Sequence, residues 1–476
     1  MDLIILNANS NIPLYLQLYK HFKAAIESNR LKEGEKMPSI RGLAKDLSIS
    51  KITVEKAYQQ LMSEGYIENY DRSRYTVKKF EGIVLKTPTP FILSQDSQLD
   101  VEHDKICYDF SSGDMDKEGF NFALWKGYIN KAFLQKERLF GYGNIKGEDE
   151  LRREIAKYIQ KSRGVQAHKE QIIIGAGVQS LLTVLCSILQ LEHSSIAFEE
   201  PGFKNGRRIF ADHSFRIAPI PMQKDGIDMD QLVSSGAKLV YVSPSHQFPT
   251  GYIMPIAKRS QLLNWAEEKK GIIIEDDYDS EFRYFGRPIP ALKGLDQRGK
   301  VVYLGSLSKI IPPSIRISYM VLPEEFLEIY QKKASLYNQT ASTIEQLALA
   351  HYMADGHLER QIRRLRKLYH EKRRLFLTEI KAILGDKVEV NENESGLHIL
   401  LSLKSELPAK ELAQQALEKG CRVAPVQDYY LERSPEQLPQ VLLYFSKIPV
   451  EEMKNGINLL KDAWFSVQQV FESDKC

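Results

Sequence analysis

Residues 301–321 read VVYLGSLSKIIPPSIRISYMV. Its two apolar runs, Val301–Leu304 and Ile315–Val321, have the length and β-branched content of buried strands. Between and within them stand Gly305, Ser306, Ser308, Lys309 and Arg316. In a doubly wound sheet ligands bind beyond the carboxyl ends of the strands, so the residues that follow each apolar run carry the information. A lysine in that place suits imine formation with a carbonyl, and two hydroxyls with a guanidinium suit a phosphate. Alone, S-x-x-K is as often a solvated loop lysine, so the neighbouring strand ends must decide.

Toward the N-terminus the same rhythm repeats. Apolar runs occur at Ile172–Ile174, Ile196–Phe198, Leu239–Val242 and Ile272–Ile274, and most are separated by helical stretches such as KRSQLLNWAEEKK at 258–270. Strands alternating with helices predict an α/β domain with a largely parallel sheet. Gly175-Ala176-Gly177-Val178-Gln179 follows the first run, a turn whose backbone N–H groups can face a phosphate at a helix N-terminus. Glu275-Asp276-Asp277-Tyr278-Asp279 follows Ile274. Read alone, it is a solvated acidic loop or a helix cap. Facing a pyridine nitrogen, one of its carboxylates would keep that nitrogen protonated. A long amphipathic segment over 324–383 and shorter elements after it predict a small C-terminal α+β subdomain.

The N-terminal sixth reads differently. Leu14, Leu18, Phe22 and Ile26 recur at a spacing of four, one apolar helix face. Ser39 and Ser50 are placed to cap two further helices, SIRGLAKDL and KITVEKAYQQLMSEG, the latter with Val54, Tyr58 and Leu61 inward. YIENYDRSRYTV then reads as two short strands around a polar turn. Three helices and a hairpin form the winged-helix pattern. Residues 1–79 hold 13 Lys/Arg against 9 Asp/Glu and the remainder 52 against 53, so the basic excess lies where a nucleic-acid contact would need it. Between these parts, TPTP at 87–90 and SQDSQLDVEHD read as an extended linker. The predicted division is 1–79, a linker over 80–106, and 107–476. Cys107, Cys186, Cys421 and Cys476 form no CxxC pair, so neither a metal site nor a disulfide framework is indicated. No apolar stretch is long enough for a membrane span and no signal segment is evident, so a cytoplasmic location is expected.

The large domain resembles the fold-type I aminotransferases of class I, through FGYGNIKGEDELRREIAKYIQKSRGV, EEPGF, SPSHQFPTGYIMP, EDDYDSEFRY and SLSKIIPPSIRISYMV. With MPSIRGLAKDLSISKITVEKAYQQLMSEGYI ahead of it, the chain resembles over nearly its whole length the MocR/GabR regulators, a GntR-type winged helix fused to an aminotransferase-like domain. The resemblance implies pyridoxal 5'-phosphate as cofactor. Lys309 would be its Schiff-base lysine, Asp276 the partner of the pyridinium, Tyr278 a contact of the ring hydroxyl and Phe203 the stacking ring. Val178, Gln179, Ser306, Ser308 and Arg316 would surround the phosphate, and Tyr142 would reach a neighbouring subunit's phosphate in a homodimer. On the DNA side it implies contacts to double-stranded operator DNA from Ser50, Lys51, Ile52 and Thr53 at the start of the third helix, Arg41 in the second, and Arg72 and Arg74 in the wing. The wing reads Asp71-Arg72-Ser73-Arg74-Tyr75, a departure from the family's Gly-x-Gly form.

Three departures bear on function. Aminotransferases hold the substrate α-carboxylate with an arginine in a segment like L-R-[IL]-x-F-[AS]; here Val441–Ser446 matches it with Leu442 in the arginine's place. Related GABA-sensing regulators carry an arginine where Asn205 stands, and Phe248 replaces the asparagine of the enzymes' NPTG. Losing a bidentate guanidinium pair costs roughly ten- to several-hundred-fold in amino-acid recognition. Arg207, Arg208 and Arg422 remain candidates for a substitute. The expectation is a regulator that senses a small amine or a B6 vitamer without efficient turnover, the alternative being a working aminotransferase with a DNA-binding appendage.

Overall fold

The computed structural model describes residues 4, 6–7, 10–69, 74–79, 106–189, 195–223, 225–284, 289–334, 338–391, 395–431 and 438–465. The chain divides into two compact units, residues 1–99 and 100–476.

In the first unit, helix α1 (Leu14–Glu27) buries Leu18, Tyr19, Phe22, Ala25 and Ile26. Helices α2 (Ile40–Asp46) and α3 (Lys51–Ser63) start where the two serines predict. Ser39 Oγ accepts from the Gly42 N–H and Ser50 Oγ from the Thr53 N–H, which satisfies amides that a helix start otherwise leaves without a partner. Val54, Ala57, Tyr58 and Leu61 of α3 are fully buried, and the Tyr58 hydroxyl donates to the Pro38 carbonyl at 3.0 Å. Strands β1 (Ile67–Glu68) and β2 (Thr76–Val77) pair antiparallel as the wing. Arg72 lies outside the described residues.

The second unit is built on an eight-stranded sheet of β3 (Ile172–Gly175), β4 (Ser195–Glu200), β5 (Arg216–Gln223), β6 (Gly226–Ile227), β7 (Leu239–Val242), β8 (Ile272–Asp277), β9 (Val301–Ser306) and β10 (Ser318–Val321), in spatial order 3-10-9-8-7-4-5-6. The inner strands β9, β8, β7, β4 and β5 run parallel, and every residue of β4, β7, β8 and β9 is buried, as two helix-covered faces require. Strand β10 runs antiparallel to both its neighbours.

Three sequence expectations are corrected. The run at 315–321 becomes a strand only at Ser318, because Pro313–Ile315 form a 3₁₀ turn and Arg316 takes a left-handed φ of 58°. The amphipathic segment over 324–383 is three helices, Glu324–Ala334, Thr343–Ala354 and His357–Leu384, the last two separated at Gly356 with φ 72°. The helix expected over 258–270 begins two residues earlier, at Ile256, and ends at Glu268. A second sheet of β11 (Val388–Asn391), β12 (His398–Leu403), β13 (Ala424–Pro425) and β14 (Gln440–Tyr444), all antiparallel in the order 11-12-14-13, forms the smaller subdomain. Among the described residues no helix is long and apolar enough to cross a membrane, and no group of three His, Cys, Asp or Glu could hold a metal ion.

Candidate functional site

Beyond the carboxyl ends of β8 and β9 opens a cavity of about 620 Å³. Val178, Gln179, Phe203, Asp276, Tyr278, Ser306, Ser308, Lys309 and Arg316 all line it. Residues from five separate strand ends and loops are thus gathered in one place by the sheet's parallel register, in which Leu304 stands opposite Asp276 and Gly305 opposite Asp277.

Lys309 donates from Nζ to the Gly113 carbonyl at 2.6 Å. Burial holds its ammonium below the usual lysine range, against the opposing pull of Asp114 and Asp279, which favours the neutral amine that an imine-forming lysine needs. A side chain at Gly113 would press on Tyr444 at 2.7 Å and on Lys309 Nζ at 3.0 Å, so a glycine is needed for the amine to lie there.

Asp276 is held by one oxygen only. The Tyr241 hydroxyl donates to Oδ2 at 2.6 Å, whereas Oδ1 is buried and without a hydrogen-bond partner. Burial pushes this carboxyl up to about 7 in the cofactor-free chain. An orphaned buried carboxylate oxygen on a residue that lines the cavity is what a protonated ring nitrogen would fill. The Phe203 ring stacks on Tyr241 with centroids 6.0 Å apart.

The anion cradle is equally specific. Ser306 and Ser308 place their hydroxyls 2.8 Å from each other, and Arg316 donates from Nη2 to the Ala176 carbonyl at 3.0 Å. Gly177 has φ +95°, and a Cβ there would strike the Arg316 guanidinium. The turn therefore needs glycine twice over, for its backbone conformation and for the approach of the cation. The residues fit pyridoxal phosphate: a lysine for its aldehyde, a carboxylate for its ring nitrogen, two hydroxyls and a guanidinium for its phosphate.

Tyr142 does not line this cavity; its side chain is 85% exposed. Sequence reasoning assigned no role to Asp279, Tyr429 and Tyr444, which do line it, nor to His246 and Tyr241 behind it. Asp279 and His246 stand inside the motifs EDDYDSEFRY and SPSHQFPTG, but a carboxylate in an acidic run and a histidine in a loop carry no local signal that sets them apart.

Leu442 is fully buried in an apolar cluster with Leu400, Ala424 and Val426, against which Phe248, Tyr429 and Tyr444 pack. It sits behind the aromatic wall of the cavity. None of the three candidate substitutes lines the cavity: Arg207 is paired with Glu200 and the Tyr429 carbonyl, Arg208 with Asp212 at 2.9 Å, and Arg422 lies on a short strand beside Tyr108–Asp109.

In the first unit, Arg41, Ser50, Lys51, Ile52 and Arg74 are exposed and Thr53 half-buried, so the start of α3 presents the residues a winged helix would set against DNA.

Residues 105–438 match the family "Aminotransferase class I and II" and residues 14–77 the "Bacterial regulatory proteins, gntR family". The chain is 41% identical to the uncharacterized HTH-type transcriptional regulator YdeL of Bacillus subtilis (strain 168), over 96% of this chain and 98% of the relative. It is 29% identical to the probable rhizopine catabolism regulatory protein MocR of Rhizobium meliloti, over 98% and 97%. Among solved structures, Pyrococcus horikoshii kynurenine aminotransferase in complex with PMP superposes with a TM-score of 0.68 at 25% identity, covering 75% of this chain and 90% of that one.

Proposed function

The chain belongs to the MocR-type HTH transcriptional regulators, a GntR domain fused to a class I and II aminotransferase domain, and from this we propose that its aminotransferase-like domain holds pyridoxal 5'-phosphate on Lys309 and senses a small amine or B6 vitamer. The observation that carries the reading is the buried, unpartnered Oδ1 of Asp276 in the same cavity as Lys309 and the Ser306, Ser308, Arg316 cradle. When bound, the cofactor supplies an aldehyde for amine exchange and an electron-withdrawing ring. The protein's residues do the rest: Lys309 presents a neutral amine, Asp276 holds the ring proton, Phe203 covers a face, and Val178, Gln179, Ser306, Ser308 and Arg316 anchor the phosphate.

Leu442 favours sensing over turnover. An α-carboxylate directed at its place would meet buried aliphatic side chains rather than a guanidinium, so the Cα–H bond of an amino acid is not held in a reactive orientation. Phe122, Leu134, Phe140 and Tyr142 are 60–92% exposed, an apolar surface that supports a homodimer with Tyr142 reaching the second site. Two winged helices, with Arg41, Ser50, Lys51, Thr53, Arg72 and Arg74 on the DNA side, would then read paired half-sites in the cytoplasm. The division at 1–79, 80–106 and 107–476 goes with this reading.

The test is chemical. The purified protein should be yellow and should yield a borohydride-reduced adduct on the peptide containing Lys309. Lys309→Ala should yield none; an adduct retained in that variant removes Lys309 from the role.

A further inference from the structure

His246 lies behind the cavity, 2% exposed, and its Nδ1 meets two groups at once. Both oxygens of Asp279 stand 2.9 Å from it, and the Tyr278 hydroxyl stands 3.1 Å away. A bare Nδ1 lone pair would face a carboxylate lone pair, so Nδ1 carries the proton and donates it to Asp279. The same N–H is then shared with the Tyr278 oxygen, which can only accept. The phenolic hydrogen is left without a partner on the protein side, and Tyr278 lines the cavity. Burial, with Asp279, Tyr444 and Asp276 nearby, drives the Tyr278 phenol well above its usual range, so that hydrogen stays on.

The imidazole is clamped from the remaining sides. The His398 ring lies with its centroid 5.3 Å away, and burial lowers His398 to about 3, keeping it neutral. A Cβ at Gly396, whose φ is +84°, would collide with the His246 ring. His246 Nε2 is buried with no hydrogen-bond partner, so nothing but Asp279 and Tyr278 fixes the polar edge of the ring.

Resting on the cofactor reading above, we infer that His246 is a positioning residue: with Asp279 it orients the Tyr278 hydroxyl as a donor into the cavity, toward the ring oxygen of the cofactor, and so sets the proton affinity of the cofactor's imine. A donor on that oxygen withdraws charge and lowers the imine's proton affinity; removing it raises the pH midpoint of the bound cofactor's visible absorbance.

The experiment titrates that absorbance against pH in the intact holoprotein. Tyr278→Phe should raise the midpoint by about one pH unit, the scale of one hydrogen bond to a charged acceptor. His246→Phe, which keeps an aromatic ring but has no N–H, should raise it in the same direction. His246→Asn, whose amide nitrogen falls near Nδ1, should stay close to wild type, whereas His246→Gln, which places its amide near Nε2, should shift. In the Tyr278→Phe background none of the His246 substitutions should move the midpoint further. A midpoint unmoved by His246→Phe and His246→Gln overturns the inference, and so does an equal shift with and without Tyr278. If His246→Phe does not fold, the Asn and Gln pair decides. The absence of any cofactor band in the wild type would instead overturn the cofactor reading itself.

Discussion

At Asp276 a carboxyl group is buried with a single donor, and burial also raises two nearby carboxyls, Glu199 to about 8 and Glu275 to about 7. A carboxyl raised in the folded state stabilises the fold while protonated. That contribution is complete below its unfolded value and is lost as pH rises, here between about 4 and about 7 for Asp276. A pyridinium beside Oδ1 reverses the sign at this one residue, because the ionised form then gains a partner. The thermal stabilisation conferred by pyridoxal phosphate should accordingly be larger at pH 8 than at pH 6. In Asp276→Asn that pH dependence should shrink, while Glu199 and Glu275 affect both forms alike and cancel. Scanning calorimetry of cofactor-free and cofactor-loaded protein at the two pH values measures it, and an equal gain at both would remove Asp276 from the pyridinium. Gly177 provides a second residue-scale test. Gly177→Ala forces a Cβ into the Arg316 guanidinium at a left-handed φ, so cofactor dissociation should accelerate by at least tenfold with the lysine chemistry intact.

Among the elements, α3 does two things with one end. Ser50 caps the helix and stands on the exposed face, so Ser50→Ala should cost about 1 kcal/mol of stability in the N-terminal unit. Lys51→Ala and Arg74→Ala should leave stability and cofactor absorbance unchanged but weaken DNA binding, each reducing the slope of log affinity against log salt by about one. Unaltered affinity in both variants would move the DNA surface elsewhere. The elements that were legible in the sequence are those whose pattern is local: the two serine caps, the apolar runs of β7, β8 and β9, and the residues that follow them. Strand β5 was not, since Pro219 and Pro221 and an exposed Arg216 argue against a strand; it persists because β4 pairs with it from Arg216 to Pro221 while β6 meets only Met222 and Gln223. The onset of β10 escaped because Ile315 and Ile317 are apolar enough to read as strand. In the site, Lys309 and Asp276 were legible because each follows closely on an apolar run. Tyr241, the group that holds Asp276, sits inside such a run, where a tyrosine reads as core.

For the whole molecule, Phe140 and Tyr142 expose their aromatic rings as the proposed homodimer would require. Sedimentation should show a dimer at micromolar concentration, and a monomer that still binds the cofactor would count against it. The central claim is that the cofactor cavity governs DNA binding. It is tested most directly by selecting DNA fragments from a random library with the holoprotein, then measuring their affinity for wild type and Lys309→Ala, each with and without pyridoxal phosphate. The account predicts that adding the cofactor changes wild-type affinity at least fivefold and leaves Lys309→Ala unchanged. The same affinity in all four measurements would contradict it.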